Sequence, residues 1–372
     1  MRTMFINLFS AYLKRIKLFI YENLNFASKA KVKKLQLKVQ NLQAKVQNLE
    51  KAMEADIEKY ETYVLNPKKE TRDKKRKEPL RRVIIELLDK KPFPLFFYVQ
   101  IETINRCNSD CDFCPVNYKD DTREFAKMPE EIFYSIIKQL KDLDYSGYIC
   151  LYDNNEPLLD KRIFDFVEYA KRELPKATHF LFTNGLLLNL EKFKRLIACL
   201  DYLLIDNYYE GEKKIHPHLI EIAEYCLNSE ELMKKTKIQL TNKHAIRNSR
   251  AGGAKNRNNI IKIESACLWP FVQICISPSG QLSLCCNDAL HLQIMGDATK
   301  ESLVDIWRSD QYMKYRRKIL ESRQNIEICA SCDTFGLIDI SISILSDFKL
   351  GDWKEVKKMM TAKNNGPSQN SQ

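Results

Sequence analysis

The chain has 372 residues, of which 44% are hydrophobic and 29% charged. That is apolar material enough for a sizeable core and excludes a globally disordered chain. At roughly 150 residues per domain, the length suggests about two domains and an appendage. With 10 Gly and 12 Pro the sequence is neither collagen-like nor Pro/Gly low-complexity, and it holds no uncharged apolar run of bilayer length.

The net charge of +11 is concentrated at one end. Residues 1–91 carry 23 Lys and Arg against 11 Asp and Glu, and the remainder carry 37 against 38. Any attraction to an anionic surface is therefore expected from the N-terminal arm. The apolar stretch Met4–Leu13 is followed by Lys14, Arg15 and Lys17, where a secretory leader would need a small-residue cleavage site. A cytoplasmic location is the expectation.

In the arm, Phe5, Leu8, Phe9, Tyr12, Ile16, Phe19 and Ile20 recur at helical spacing. That face suits a peripheral membrane contact, or packing on protein. Val32, Val39, Val46 and Met53 then alternate with Leu35, Leu42 and Leu49 as the a and d positions of heptads. The pattern suits a two-stranded coiled coil, and hence a homodimer or a partner helix, until Asp56 interrupts it. Pro67 ends the arm, which gives residues 1–66 as helix and coiled coil and 67–94 as a basic linker. No aromatic interleaves the charges of Lys68–Lys77, which argues against nucleic acid.

Beyond Leu95 the pattern becomes strand–helix alternation. Strands are expected at Phe96–Ile104, Tyr148–Tyr152, His179–Thr183, Tyr202–Asp206 and Lys237–Thr241. Helices are expected at Glu130–Leu143, Ile163–Arg172, Leu190–Cys199 and His218–Asn228. The fold class is α/β with a parallel sheet, open or curled into a barrel, whose ligands gather at the carboxyl ends of its strands. After the loop Asn248–Asn259, Val272–Ser277 and Leu282–Cys286 read as a hairpin, and Ser302–Leu320 as one amphipathic helix. The tail 341–372 ends in polar residues.

Twelve cysteines without an export signal do not read as a disulfide framework. Cys107, Cys111 and Cys114 lie on one loop after the first strand, with no fourth Cys or His near enough in sequence to close a zinc site. Three thiolates suit a [4Fe–4S] cluster with one iron left open. Cys267, Cys285, Cys329 and Cys332 make a second set around a hairpin and a Cys-x2-Cys knuckle, enough to close a zinc or iron–sulfur site. Adjacent residues on a strand face opposite ways, so only one of Cys285 and Cys286 can face that site, and Cys285 is assigned to it. Cys150, Cys199 and Cys226 fall in core patterns, and the five histidines show no ligand spacing. Arg250, on the loop between the two cysteine sets, is a candidate to hold an anionic or hydroxylated substrate, or only a backbone carbonyl.

The segment Ile101–Pro115, with Phe113 before the third Cys, resembles the radical S-adenosylmethionine (SAM) superfamily. So do Asn154-Asn155-Glu156-Pro157, where the family usually has Gly-Gly-Glu-Pro, and Thr183-Asn184-Gly185. The spacing of the second set resembles the family's SPASM or shorter twitch extension. The long form carries three further cysteines after the knuckle, and none follows Cys332. The resemblance implies a partial (β/α)6 barrel at 95–262 and a small auxiliary-cluster domain at 263–340. Its cofactors would be a [4Fe–4S] cluster coordinated with SAM on Cys107, Cys111 and Cys114, and one auxiliary [4Fe–4S] cluster. Glu156 would accept from the SAM ammonium, Asn184 would reach the ribose and Phe113 would flank the cofactor. A flavodoxin- or ferredoxin-type reductant would supply an electron that cleaves SAM to a 5′-deoxyadenosyl radical. The expected activity is dehydrogenation of a small hydroxylated substrate such as a sugar or cyclitol. Peptide or protein modification and a non-catalytic iron–sulfur scaffold are the alternatives.

Overall fold

The structure is a computed structural model that describes residues 81–334 and 353–364. All described residues fall within one unit, Glu70–Gln372. The amphipathic helix, the heptads and the basic run expected before residue 81 lie outside the described residues, as does most of the tail.

A helix at 81–89 (α1) leads into the first strand, β1 (Tyr98–Ile101). Four further strands follow, β2 (Tyr148–Cys150), β3 (Thr178–Thr183), β4 (Tyr202–Tyr209) and β5 (Thr236–Asn242). The connecting helices are α2 (Glu130–Asp142), α3 (Ile163–Glu173), α4 (Leu190–Cys199) and α5 (Pro217–Leu227). A short helix that the sequence pattern did not reveal, α6 (Glu230–Lys235), precedes β5. Each long helix buries one stripe at i, i+3, i+4 and i+7: Phe133, Ile136, Ile137 and Leu140 on α2, and Ile163, Phe166, Val167 and Ala170 on α3. Phe133 and Phe166 stack with ring centroids 4.1 Å apart, locking α2 to α3. Burial of each such side chain stabilises the fold by roughly 1.5–3 kcal/mol.

The remaining elements are α7 (Trp269–Val272), β6 (Gln273–Ile276), β7 (Gln281–Ser283), β8 (Ile294–Asp297), α8 (Leu303–Arg308), α9 (Asp310–Glu321), α10 (Glu327–Ala330) and α11 (Trp353–Asn364). All strands join one sheet of order β5-β4-β3-β2-β1-β6-β7-β8. The pairs from β5 to β6 are parallel; β6–β7 and β7–β8 are antiparallel. The sixth parallel strand thus pairs with β1, not with β5, and continues straight into the hairpin. Strands from both sides of the expected boundary at 262/263 therefore belong to one sheet. β1 (Tyr-Val-Gln-Ile) and β6 (Gln-Ile-Cys-Ile) are buried at every position, and their Gln100 and Gln273 amides bond each other across the pair.

The C-terminal elements depart from expectation in two places. The expected single helix Ser302–Leu320 is broken at Ser309, whose Oγ accepts from Tyr312 N at 3.2 Å and starts α9 as Ser302 starts α8. The break turns Trp307 and Tyr312 onto one buried guanidinium. Arg316 lies 3.9 Å from the Trp307 ring centre and 4.1 Å from that of Tyr312, and donates to Trp307 O at 2.6 Å. The tail expected after 341 contains α11, whose Trp353 Nε1 donates to Met233 O at 3.0 Å and whose Glu355 pairs with Lys213.

Candidate active site

Side chains at alternate strand positions face the same way, and those on the concave face of the sheet surround one cavity of about 350 Å³. Tyr98 and Gln100 come from β1, Phe182 from β3, and Leu204, Asp206 and Tyr208 from β4. The loops at the strands' carboxyl ends close it, and they contain the residues singled out from sequence.

Cys107, Cys111 and Cys114 all line the cavity. Their loop is knit by Cys114 N donating to Cys111 O at 3.1 Å and by Asn117 Nδ2 donating to Cys114 O at 2.8 Å. It is tied to the far side of the sheet by Asp112 N, which donates to Lys243 O at 3.0 Å. Burial, then the Glu156 carboxylate, pushes the Cys107 thiol up to about 12. Burial also lifts Cys111 to about 12, although Ser109 Oγ lies 3.2 Å from its sulfur. Thiols that share a cavity and oppose one another's ionisation become thiolates when cationic metal sits among them. Among the described residues, no three thiol, carboxylate or imidazole groups close on a point suited to one lone ion. An iron–sulfur cluster asks for something else, separate thiolates each on its own iron, and the donor set fits that demand. Phe113 is buried beside the loop, its ring 5.7 Å from that of Tyr208 and 5.2 Å from the Arg247 guanidinium.

Glu156 follows β2, and its backbone N donates to Arg106 O at 2.8 Å, joining this segment to the cysteine loop. Its carboxylate accepts from Leu158 N at 3.0 Å, Thr183 Oγ1 at 2.7 Å and Asn184 N at 2.7 Å. Complete burial outweighs these bonds and raises it to about 7. Asn184 Nδ2 donates to Asn108 Oδ1 at 2.8 Å and lies 3.7 Å from Cys107 Sγ, so its amide braces the cysteine loop. Gly185 next to it has φ +73, and a Cβ there would stand 2.7 Å from Ile205 Cγ2.

Asn154 and Asn155 keep negative φ, so this turn has no need of glycine. Their side chains are used instead. Asn154 Nδ2 donates to Cys286 O at 3.2 Å, and its Oδ1 accepts from Arg250, which links the β2 loop to the hairpin. Asn155 Oδ1 accepts from Asp153 N at 3.1 Å. Beneath them, Arg123 bonds Glu102 at 3.1 Å, Asp121 at 3.0 Å and Asn154 O at 2.9 Å, while Glu102 also holds Asn154 N at 3.0 Å.

Arg250 sits on a turn with φ +48, followed by Ala251 at +53 and Gly252 at +87. A Cβ on Gly252 would lie 2.9 Å from Ser331 Cβ. Ser249 N donates to Asp333 Oδ1 at 2.7 Å and Ser249 Oγ to Ser331 O at 2.7 Å, so the turn is pinned to the C-terminal knuckle. From there Arg250 reaches Cys286 O at 3.4 Å and keeps an enclosed Nε without a partner. Of the two roles expected of this residue, the carbonyl contact is present.

Cys267, Cys285, Cys329 and Cys332 are all buried. Burial raises the Cys285 thiol most, and Cys286, Cys329, Cys267 and Cys332 add to it, so all five cysteines lie in one neighbourhood. Cys329 is lifted to about 12 by burial and Cys267, against the pull of Arg323. Arg323 is 1% exposed and donates to Thr334 O at 2.9 Å beside this group. The strand argument for Cys285 rests on a wrong premise, because β7 stops at Ser283, next to a register shift against β8. Alternation does not extend to 285 and 286. Both Cys285 and Cys286 lie near Cys267, and Cys286 also lines the cavity. Cys275 is fully buried, its sulfur 3.7 Å from Gln100 Oε1.

Two groups at the site were not singled out from sequence. Asp153 is 3% exposed, and burial, with Glu102 adding to it, raises its carboxyl to about 7. Its signal was its place, an acidic residue at the carboxyl end of a strand. His291, one of the five histidines without ligand spacing, is partly buried, with Nε2 3.2 Å from Glu102 Oε2.

Residues 101–206 match the family model of the radical SAM superfamily, and residues 267–333 match that of the SPASM iron–sulfur cluster-binding domain. The chain is 24% identical over 241 residues to an S-adenosyl-L-methionine-dependent 2-deoxy-scyllo-inosamine dehydrogenase of Niallia circulans, covering 64% of this chain and 93% of that one. Its fold matches the crystal structure of BtrN in complex with AdoMet and 2-DOIA, with a TM-score of 0.56 and 21% identity over 65% of this chain and 94% of that chain. The cofactors of such domains are a [4Fe–4S] cluster with SAM and an auxiliary iron–sulfur cluster. Residues 101–206 thus belong to the radical SAM superfamily, and residues 267–333 are a C-terminal SPASM domain.

Proposed function

We propose that this protein is a radical SAM dehydrogenase that oxidises a hydroxyl-bearing carbon of a small polar substrate, such as a cyclitol or sugar. Cys107, Cys111 and Cys114 hold the SAM-binding cluster; Cys267, Cys285, Cys329 and Cys332 hold the auxiliary one. When bound, these groups supply SAM cleavage, hydrogen-atom abstraction from carbon and an electron acceptor. Glu156 keeps a carboxylate at the cavity wall for the ammonium of SAM, and its three accepted hydrogen bonds fix its direction. Asn184 holds the cysteine loop against β3, and Phe113 with Tyr208 walls off the cofactor end from water. Arg250 presents a donor to an oxygen of the substrate. The starting electron comes from a flavodoxin- or ferredoxin-type reductant.

The observation that carries the reading is that one cavity touches both cysteine regions. It is lined by Cys107, Cys111 and Cys114 at one side and by Cys286, the neighbour of Cys285, at another. Its volume, about 350 Å³, is that of a small-molecule site. The aminocyclitol dehydrogenase relative supports the reaction class. Anaerobic reconstitution tests the ligand assignment. The native chain should hold about eight irons, and Cys107→Ala with Cys111→Ala and Cys114→Ala should leave about four. An unchanged iron count in that variant would remove these cysteines from the first cluster.

A further inference from the structure

The cavity contains buried polar atoms with nothing to bond. Asp153 Oδ2, Asn155 Nδ2 and Arg250 Nε are enclosed and lack a hydrogen-bond partner among the described residues, and all three residues line the same cavity. Folded proteins rarely keep such atoms, because each loses its water and gains nothing in return. An unpartnered carboxylate oxygen is the most costly of the three.

The cations near Asp153 are committed elsewhere. Arg123 bonds Glu102, Asp121 and the carbonyls of Asn105 and Asn154. His291 Nε2 contacts Glu102. Arg250 bonds Asn154 and Cys286 O. Asp153 is therefore placed among charges without being paired to any of them. Its segment is nevertheless fixed, by Asp153 N on Asn155 Oδ1 and Asn154 N on Glu102. A fixed loop whose acidic residue lines a cavity with an unpaired acceptor, together with a second lining residue that has an unpaired donor, is a recognition element for a ligand that supplies both partners.

We infer that Asp153 is the substrate-selecting carboxylate of this cavity, accepting a hydrogen bond from a hydroxyl or ammonium of a polyhydroxylated substrate while Arg250 Nε donates to a neighbouring oxygen. The inference rests on the dehydrogenase reading above and narrows its substrate class. Vicinal hydroxyls present a donor and an acceptor side by side and satisfy both orphaned atoms. An amino group in place of one hydroxyl strengthens the bond to Asp153 by charge. A carboxylate or phosphate there meets like charge and is rejected.

The test uses the full chain, reconstituted anaerobically and saturated with SAM, with 2-deoxy-scyllo-inosamine, scyllo-inositol and glucuronate as probes in equilibrium dialysis. The native chain should bind the amine best and glucuronate worst. Asp153→Asn should weaken the amine by roughly ten- to a hundredfold, leave SAM affinity unchanged, and narrow the gap to glucuronate. Because the substitution removes an unpaired buried charge, the ligand-free variant should also melt higher, by about 2 °C. Asp153→Ser provides the same readouts should the amide variant be insoluble. Equal amine affinity in native and variant chains overturns the inference, and so does a matching loss of SAM affinity, which would assign Asp153 to the cofactor. A lower melting temperature overturns it as well, since the carboxylate would then be holding the fold. If the native chain cleaves SAM yet binds none of the probes, the polyol reading itself fails and this inference with it.

Discussion

Glu156→Gln separates a SAM-binding carboxylate from a scaffolding one. The carboxylate accepts three hydrogen bonds, two on Oε1 from Leu158 N and Thr183 Oγ1 and one on Oε2 from Asn184 N. An amide has a single acceptor oxygen, so either orientation leaves a backbone N–H facing an NH2 group. That loss costs about 1–3 kcal/mol. Against it stands burial, which lifts the carboxyl from 4.5 to about 7 and so opposes its ionisation at neutral pH by about 3 kcal/mol. The amide avoids that second cost, and the two effects largely cancel in fold stability. They do not cancel in ligand binding. Losing a charged acceptor for an ammonium costs about 1.5–3 kcal/mol, or roughly ten- to a hundredfold in affinity. SAM titration of the reconstituted protein by calorimetry, alongside iron content and urea unfolding, should show weaker SAM binding with iron and stability nearly intact. Native SAM affinity in a folded, iron-replete variant would refute the assignment; a parallel collapse of iron and stability would make Glu156 a structural hub.

Arg123→Met leaves Glu102, fully buried, without its main counter-charge. Urea unfolding should record a loss of about 3–5 kcal/mol, and SAM binding should fall because Arg123 also holds Asn154 O; near-native stability would contradict the bracing role. His179 is buried, its Nε2 2.9 Å from Leu174 O, and burial lowers its pKa below 6.5. The unfolded chain therefore binds a proton there that the folded chain does not, so this contribution to stability is present above 6.5 and is lost as pH falls below it. His179→Gln should flatten the loss of melting temperature between pH 6.5 and the lowered folded pKa, and an unchanged pH profile would count against it.

What the sequence made legible and what it hid divide along physical lines. The stripes of α2, α3 and α4 are local patterns, and their ends fall within a residue or two of expectation because nothing distant has to be known. The cysteine loop and Glu156 were legible for a similar reason, since each lies just past a strand whose carboxyl end must point at the cavity. Strand neighbours are long-range facts, so the placement of β6 beside β1 could not be read from alternation. The break at Ser309 was hidden because each side has its own helical stripe, Leu303, Ile306 and Trp307 before it and Tyr312, Arg316 and Ile319 after it; the cap that splits the helix is a single hydroxyl. The strand argument for choosing Cys285 over Cys286 does not apply, because β7 ends before both. Asp153 went unnoticed because an acidic residue in a loop is ordinary until its burial and its missing partner are known. Of the two asparagines that stand where the family usually has glycines, Asn154 bonds across to the hairpin and to Arg250 and Asn155 accepts from Asp153 N.

The most direct test of the account is the coupling of SAM cleavage to substrate oxidation. The full chain, reconstituted anaerobically with iron and sulfide, is given a strong reductant, SAM and 2-deoxy-scyllo-inosamine or a panel of related cyclitols, and both products are quantified by chromatography and mass spectrometry. The account predicts 5′-deoxyadenosine and a ketone two mass units below its cyclitol, in equal amounts. An iron-replete protein that forms no 5′-deoxyadenosine, or forms it without any oxidised cyclitol across the panel, would contradict the account.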